Sequence, residues 1–143
     1  MTITVYDLEK TVNSGLTTKI KSSVINYNQL YIQLSIQNLY STILYLKTNE
    51  KCKFKQLTDI TAVDYPQKEI RFKIVYFLLS HVNNLRVTVY SEISENTKVP
   101  SIVKIFPSAN WMEREIFDMY GIKFSDHPDL RRILTDYGFE GYP

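Results

Sequence analysis

The stretch from Ile70 to Val89 narrows the possible folds more than any other. Ile70, Phe72, Ile74, Tyr76 and Leu78 alternate with Arg71, Lys73, Val75, Phe77 and Leu79. A period of two marks a strand, because successive side chains leave a pleated backbone on opposite faces. Toward its end both faces turn apolar, as in a strand inside a sheet. Asn83 and Asn84 then supply a turn, since Asn tolerates left-handed backbone angles. Leu85, Val87 and Val89 return as an antiparallel strand. An interior hairpin of this kind needs further strands beside it and a layer over its apolar face.

The rest of the chain supplies them. Leu30, Ile32, Leu34 and Ile36 alternate as a half-buried first strand. Leu39, Tyr40, Ile43, Leu44 and Leu46 follow helical spacing, so residues 37–50 are expected to lay an amphipathic helix on the sheet. Val5, Leu8, Val12 and Leu16 space out a weaker amphipathic helix broken by Gly15. Gln56 to Asp64 reads as a further strand ended by Tyr65-Pro66, Ser94 to Val99 as a polar loop closed by Pro100, and Ile102, Val103 and Phe106 as a short helix or turn. Asn110 with Glu113 spells a capping box for a helix with Met112, Ile116, Met119 and Tyr120 as its apolar stripe. Gly121 suits the residue after its end. Asp126 is expected to cap a short turn with Pro128 near its first position, and Gly138, Gly141 and Pro143 forbid long regular structure beyond it. The expectation is an α+β domain: a mixed or antiparallel sheet of about four strands, helices packed on one face, and an extended C-terminal segment. Residues 1–107 form the sheet-and-helix core and 108–143 a helix plus an extended segment of the same single domain.

Composition excludes several classes. With 143 residues the chain supports one domain with a real core. A net charge of +2 gives no basic field for nucleic acid. One cysteine, Cys52, makes neither an internal disulfide nor an iron–sulfur site, which takes four thiolates. His81 and His127 are the only histidines, and no Cys or His cluster offers a metal site. No apolar run approaches the roughly 20 residues of a membrane helix. Asp7 and Glu9 argue against a transit peptide.

The C-terminal third is different in kind. It sets Glu113, Arg114, Glu115, Asp118, His127, Asp129, Arg131 and Arg132 among Trp111, Phe117, Tyr120, Phe124, Tyr137 and Phe139. Arg and aromatic side chains are enriched where proteins meet. The bland reading of the charges is a solvated helix face, with Arg114 and Asp118 paired at i, i+4 for well under about 1 kcal/mol. The acids beside His127 do not by themselves make a triad, because a nucleophile and its base must converge in space.

This stretch also carries a family likeness. Glu113-Arg114-Glu115, then Asp118, Met119-Tyr120, His127, Arg131 and Ile133-Leu134 fill the slots of a C-terminal signature. In this the chain resembles the 30 kDa, or C-type, peripheral-arm family of NADH:quinone oxidoreductase, respiratory complex I. The run HPDLRRILTDYGFEG, and LTDITAVDYP followed by RFKIVYFLLS upstream, resemble that family too. Family members generally continue past the final Gly-x-Pro with a further tail, which this sequence does not show.

The resemblance implies a non-catalytic core member of the peripheral arm. The complex passes electrons from NADH through FMN and iron–sulfur clusters to quinone and couples this to proton translocation. It implies no catalytic residue, cofactor or metal on this chain. It implies contact with the 49 kDa (D-type) quinone-site subunit and neighbouring iron–sulfur subunits, no nucleic acid, and a membrane reached only through the complex. The place implied is the cytoplasmic face of a bacterial inner membrane or the matrix face of the mitochondrial one. Glu113, Arg114, Glu115, Asp118, His127, Asp129, Arg131, Arg132, Tyr137 and Phe139 are then the expected partner contacts. Two rival readings stand beside it. One is a small enzyme using His127 with Asp129 or Glu115. The other is an RNA-binding module whose sheet stacks bases on Tyr and Phe.

Overall fold

The structure, a computed structural model, describes residues 2–127. Its centre is a five-stranded sheet in the order β1-β2-β5-β4-β3, formed by β1 (Ile20–Asn26), β2 (Gln29–Leu34), β3 (Gln56–Asp64), β4 (Phe72–Ser80) and β5 (Leu85–Ile93). β1–β2, β4–β5 and β3–β4 pair antiparallel, whereas β2 and β5 run parallel with Leu30 beside Val87 and Ile32 beside Val89. The expected interior hairpin is present: Leu85 pairs with Ser80 across a turn in which Asn84 adopts φ 53°.

The sheet has one strand more than expected. β1 escapes the alternation test because it is an edge strand whose residues are exposed or half-buried. A strand with no buried face leaves little hydrophobic pattern to read. The β2 run is also shorter than its alternation, with Ile36 passing into a single 3-10 turn at Ile36–Asn38.

Among the described residues, three helices share one core with one face of the sheet. They are α1 (Val5–Gly15), α2 (Leu39–Thr48) and α3 (Ala109–Tyr120). α1 buries Val5, Leu8 and Val12, α2 buries Leu39, Ile43 and Leu46, and α3 buries Ala109 and Ile116. They meet Leu30, Ile32, Leu34, Leu57, Ile60, Phe72, Ile74, Tyr76, Leu78, Val87 and Val89 in a single cluster. Each such aliphatic side chain contributes about 1.5–3 kcal/mol on leaving water. α1 holds its first turn with a capping box, Thr4 Oγ1 accepting from the Asp7 N–H and Asp7 accepting from the Thr4 N–H. The opposite sheet face carries Tyr31, Phe77 and Tyr90 half-buried, with Lys73 over the Tyr90 ring.

A second, two-stranded parallel unit sits beside α3. β6 (Val99–Pro100) pairs with β7 (Phe124–Ser125). Pro100 therefore joins a ladder rather than only closing a loop. The Val99 N–H donates to Lys123 O at 2.9 Å and the Ser101 N–H to Ser125 O at 3.1 Å.

Candidate functional site: the buried Glu113 centre and the outer face of α3

α3 ends at Gly121 as expected but differs at its start and in one position of its apolar stripe. Its N-cap is Ser108 with no side-chain cap bond, so Asn110 and Glu113 do not form a capping box. The Glu113 side chain is fully buried and turns instead toward the segment after β6. Oε1 accepts from Ser101 Oγ at 2.6 Å, and Oε2 accepts from the Ile102 N–H at 2.9 Å. Met119, expected in the apolar stripe, is 39% exposed, while Ile116 is buried as expected. Met112 and Tyr120 pack half-buried against the core as expected, so only Met119 leaves the stripe, while Glu113 and Asp118 are buried beside it. Gly121 ends the helix in the left-handed region at φ 74°, donating its N–H to Phe117 O at 2.8 Å.

His127 closes over the same centre. Its Nε2 lies 3.1 Å from Asn110 O and 3.8 Å from Glu113 Oε1, with the side chain fully covered. Tyr76 reaches in from β4; its buried hydroxyl finds no hydrogen-bond partner among the described residues. Burial pushes the Glu113 carboxyl up to about 7, against the lowering pull of Ser101 and the Ile102 N–H. Burial and the nearby Glu113 charge push the Tyr76 phenol well above its ordinary 10. Sequence reasoning missed Tyr76 and Ser101, because only folding brings β4 and the β6 exit to α3.

The expected contact residues thus divide. The Glu113 and Asp118 side chains are covered in the folded chain and are not on the open surface of α3, because burial turned them inward. Arg114 does not pair with Asp118 among the ion pairs of the described residues. Its guanidinium lies 5.4 Å from the Trp111 ring centre, with a buried Nε that has no acceptor among the described residues. Trp111 is 53% exposed and Glu115 is exposed on the same side of the helix. Asp129, Arg131, Arg132, Tyr137 and Phe139, and the turn expected at Pro128, lie outside the described residues; Asp126 itself adopts φ 62°.

What this arrangement offers chemically is a covered carboxyl that accepts two hydrogen bonds, and a cation–aromatic pair. Among the described residues no group of three or more His, Cys, Asp or Glu side chains is placed to hold a metal. Nor is any helix among them long and apolar enough to cross a membrane. Cys52 is buried, and desolvation pushes its thiol up to about 11, which keeps it from acting as a thiolate nucleophile at neutral pH.

Comparison with known proteins adds the relationship. A family model described as "Respiratory-chain NADH dehydrogenase, 30 Kd subunit" matches residues 32–143. The C-type NADH-quinone oxidoreductase subunit of Parvibaculum lavamentivorans is 51% identical over 128 residues, covering 87% of this chain and 64% of that protein. Its counterpart, of the same name, in a Wolbachia from Brugia malayi is 53% identical over 114 residues, covering 80% and 60%. The chain thus spans about three fifths of the length of these relatives. A chain in the structure of the membrane-bound sulfane sulfur reductase, an archaeal respiratory membrane complex, superposes with a TM-score of 0.80 at 20% identity. That alignment covers 92% of this chain and 78% of the other. At that identity the likeness is one of fold.

Proposed function

The chain belongs to the family of the 30 kDa subunit of respiratory-chain NADH dehydrogenase, and from that premise we propose that it serves as a non-catalytic subunit in the peripheral arm of an NADH:quinone oxidoreductase. In this reading the complex moves electrons from NADH through FMN and iron–sulfur clusters to quinone and couples the transfer to proton translocation. This chain holds none of those cofactors. It braces the arm against the 49 kDa quinone-site subunit and its iron–sulfur neighbours, and reaches the membrane only through them, on the cytoplasmic or matrix side.

The match over residues 32–143, which takes in the whole of α3, carries the reading. The outer face of α3 supports it physically. A half-exposed Trp111 under an Arg114 whose Nε has no acceptor among the described residues is a rigid, polar-tipped anchor. Such an anchor becomes worth most when a partner seals it from water. The contact set on this reading is Trp111, Arg114 and Glu115 together with Asp129, Arg131, Arg132, Tyr137 and Phe139. His127 speaks against the small-enzyme reading: its ring is fully covered and bonded to Asn110 O, so no substrate meets it in this state.

Affinity purification of the tagged chain from cells that express it tests the proposal. The expected result is co-purification with other subunits of the oxidoreductase. Recovery of the chain alone, with NADH-oxidising or hydrolytic activity of its own, would overturn it.

A further inference from the structure

Two buried polar atoms on α3 lack partners one helical turn apart. Arg114 Nε is a donor without an acceptor among the described residues, and Asn110 Oδ1 is an acceptor without a donor there. The ion pairs among those residues join Arg71 to Asp64 and Glu95, and Glu113 to His127, so none takes up the Arg114 charge. Its guanidinium carbon lies 5.4 Å from the centre of the Trp111 ring. An aromatic neighbour steadies a guanidinium without using its N–H donors. Trp111 itself is 53% exposed, so the pair stands at the edge of the folded chain.

We propose that Arg114 and Asn110 form a seat on α3 for a carboxylate of a partner polypeptide, an Asp or Glu side chain that meets the guanidinium beside Trp111. This seat presupposes the subunit role proposed above and adds the chemistry of the group that meets it. A carboxylate is the anion that fits. Its two oxygens accept the parallel N–H bonds that one edge of a guanidinium offers. Turned about its Cβ–Cγ bond, the Asn110 amide presents Nδ2 where Oδ1 now stands and donates to the same group. Residues four apart on a helix have Cβ atoms about 5–6 Å apart, a span that one carboxylate with its hydrogen bonds can bridge. The nearby acids of α3 do not fill the seat: neither Glu115 nor Asp118 pairs with Arg114 among the described residues. A phosphate suits it less well, because exposed Glu115 adjoins it and repels a second negative charge. The fold has already taken water from the Arg114 Nε, so an acceptor there meets a need that solvent does not.

The test uses the oxidoreductase assembled around the tagged chain with Arg114→Lys, which puts a primary amine in the seat. A water-soluble carbodiimide joins such an amine to a carboxyl in contact with it. The amide forms with loss of water, which the carbodiimide takes up to become a urea. Peptide mass spectrometry then names the joined residues. The expected result is a link from position 114 to an Asp or Glu of another subunit. In the wild-type complex, phenylglyoxal, which attacks open guanidinium groups, is expected to label Arg114 roughly tenfold more slowly than in the free chain, as a charge-assisted bond implies. A link only to an acid of the same chain, no link in an intact complex, or equal labelling of free and assembled chains would overturn the seat and leave the subunit role standing. A wild-type chain that recovers no other subunit removes the role, and the seat with it. Should Arg114→Lys fail to assemble, the wild-type labelling decides.

Discussion

Oε2 of Glu113 accepts the backbone N–H of Ile102 at 2.9 Å, which places the carboxyl of a helix on a donor eleven residues earlier in the chain. Removing the acceptor strands that buried donor and the Ser101 hydroxyl together. Each unmet buried group costs about 1–3 kcal/mol. Glu113→Ala is therefore expected to lose about 2–4 kcal/mol, and Glu113→Gln less than about 1 kcal/mol, since the amide keeps an acceptor and a donor. Urea titrations with matched m-values measure the difference. Equal losses would show that the bonds do not matter.

The same carboxyl gives stability an unusual pH slope. Its ordinary value is 4.5 and burial raises it to about 7 in the folded chain. Between those values the folded chain keeps a proton that the unfolded chain has released. This contribution is complete below the unfolded value and is lost as pH rises through the folded one, by at most about 3 kcal/mol. Asp7, held low by the Thr4 backbone, and Asp64, held low by Arg71, act oppositely and weaken only in acid. Urea midpoints measured from about pH 5 to about pH 8 should fall in the wild type and stay flatter in Glu113→Gln.

Asn83 ties the hairpin turn to two distant segments. Its Oδ1 accepts the Ile3 N–H at 3.1 Å, and its Nδ2 donates to Lys51 O at 2.8 Å and Cys52 O at 3.0 Å. Asn83→Ala is expected to cost about 2–3 kcal/mol. Asn83→Asp sets a carboxylate against two carbonyls and should cost at least as much at neutral pH, with partial recovery in acid. Thermal melts of the three chains at two pH values check the order.

Gly15 is needed for space. A Cβ there would fall 2.5 Å from Cζ and 2.8 Å from Cε2 of Tyr45. Helix propensity alone favours Ala over Gly by about 1 kcal/mol, but displacing a packed ring costs about 1–3 kcal/mol. The clash is expected to win, so Gly15→Ala lowers the melting temperature. Adding Tyr45→Leu should recover part of the loss. A stabilised single variant would show that the ring moves freely.

The last prediction concerns assembly. Trp111→Ala should leave the melting of the free chain nearly unchanged, because the indole is 53% exposed. Arg131→Ala and Arg132→Ala are expected to behave likewise. All three should reduce co-purification with other members of the oxidoreductase. A lone chain that unfolds, with normal assembly of what survives, would remove these residues from the interface.

Where the buried face of an element is continuous, the sequence discloses it. Val5, Leu8 and Val12 reveal α1, and Ile74, Tyr76 and Leu78 reveal β4, because burial on one face imposes the period. β1 stays hidden because its residues are never fully buried. In α3 the hydrophobic rule misleads: two acids, Glu113 and Asp118, take inward positions while Met119 turns out. Only the donors at Ser101 and Ile102 make an inward Glu113 tolerable, and no local pattern brings them to it. The family signature marks Glu113 as special without saying that its bonds lie within the chain.

The parallel seam between β2 and β5 has a consequence for biogenesis. β2, already paired with β1, finds its second neighbour only after α2, β3, β4 and β5 have been made. As the chain emerges from a ribosome, the first hairpin must wait with one unpaired edge and with Leu30, Ile32 and Leu34 covered only by the helices already made. Distant pairings of this sort slow folding and leave nascent chains adhesive. A message cut short before Leu85 would release a product without β5 to complete the sheet, and such fragments should need chaperone cover rather than settle as a smaller stable unit.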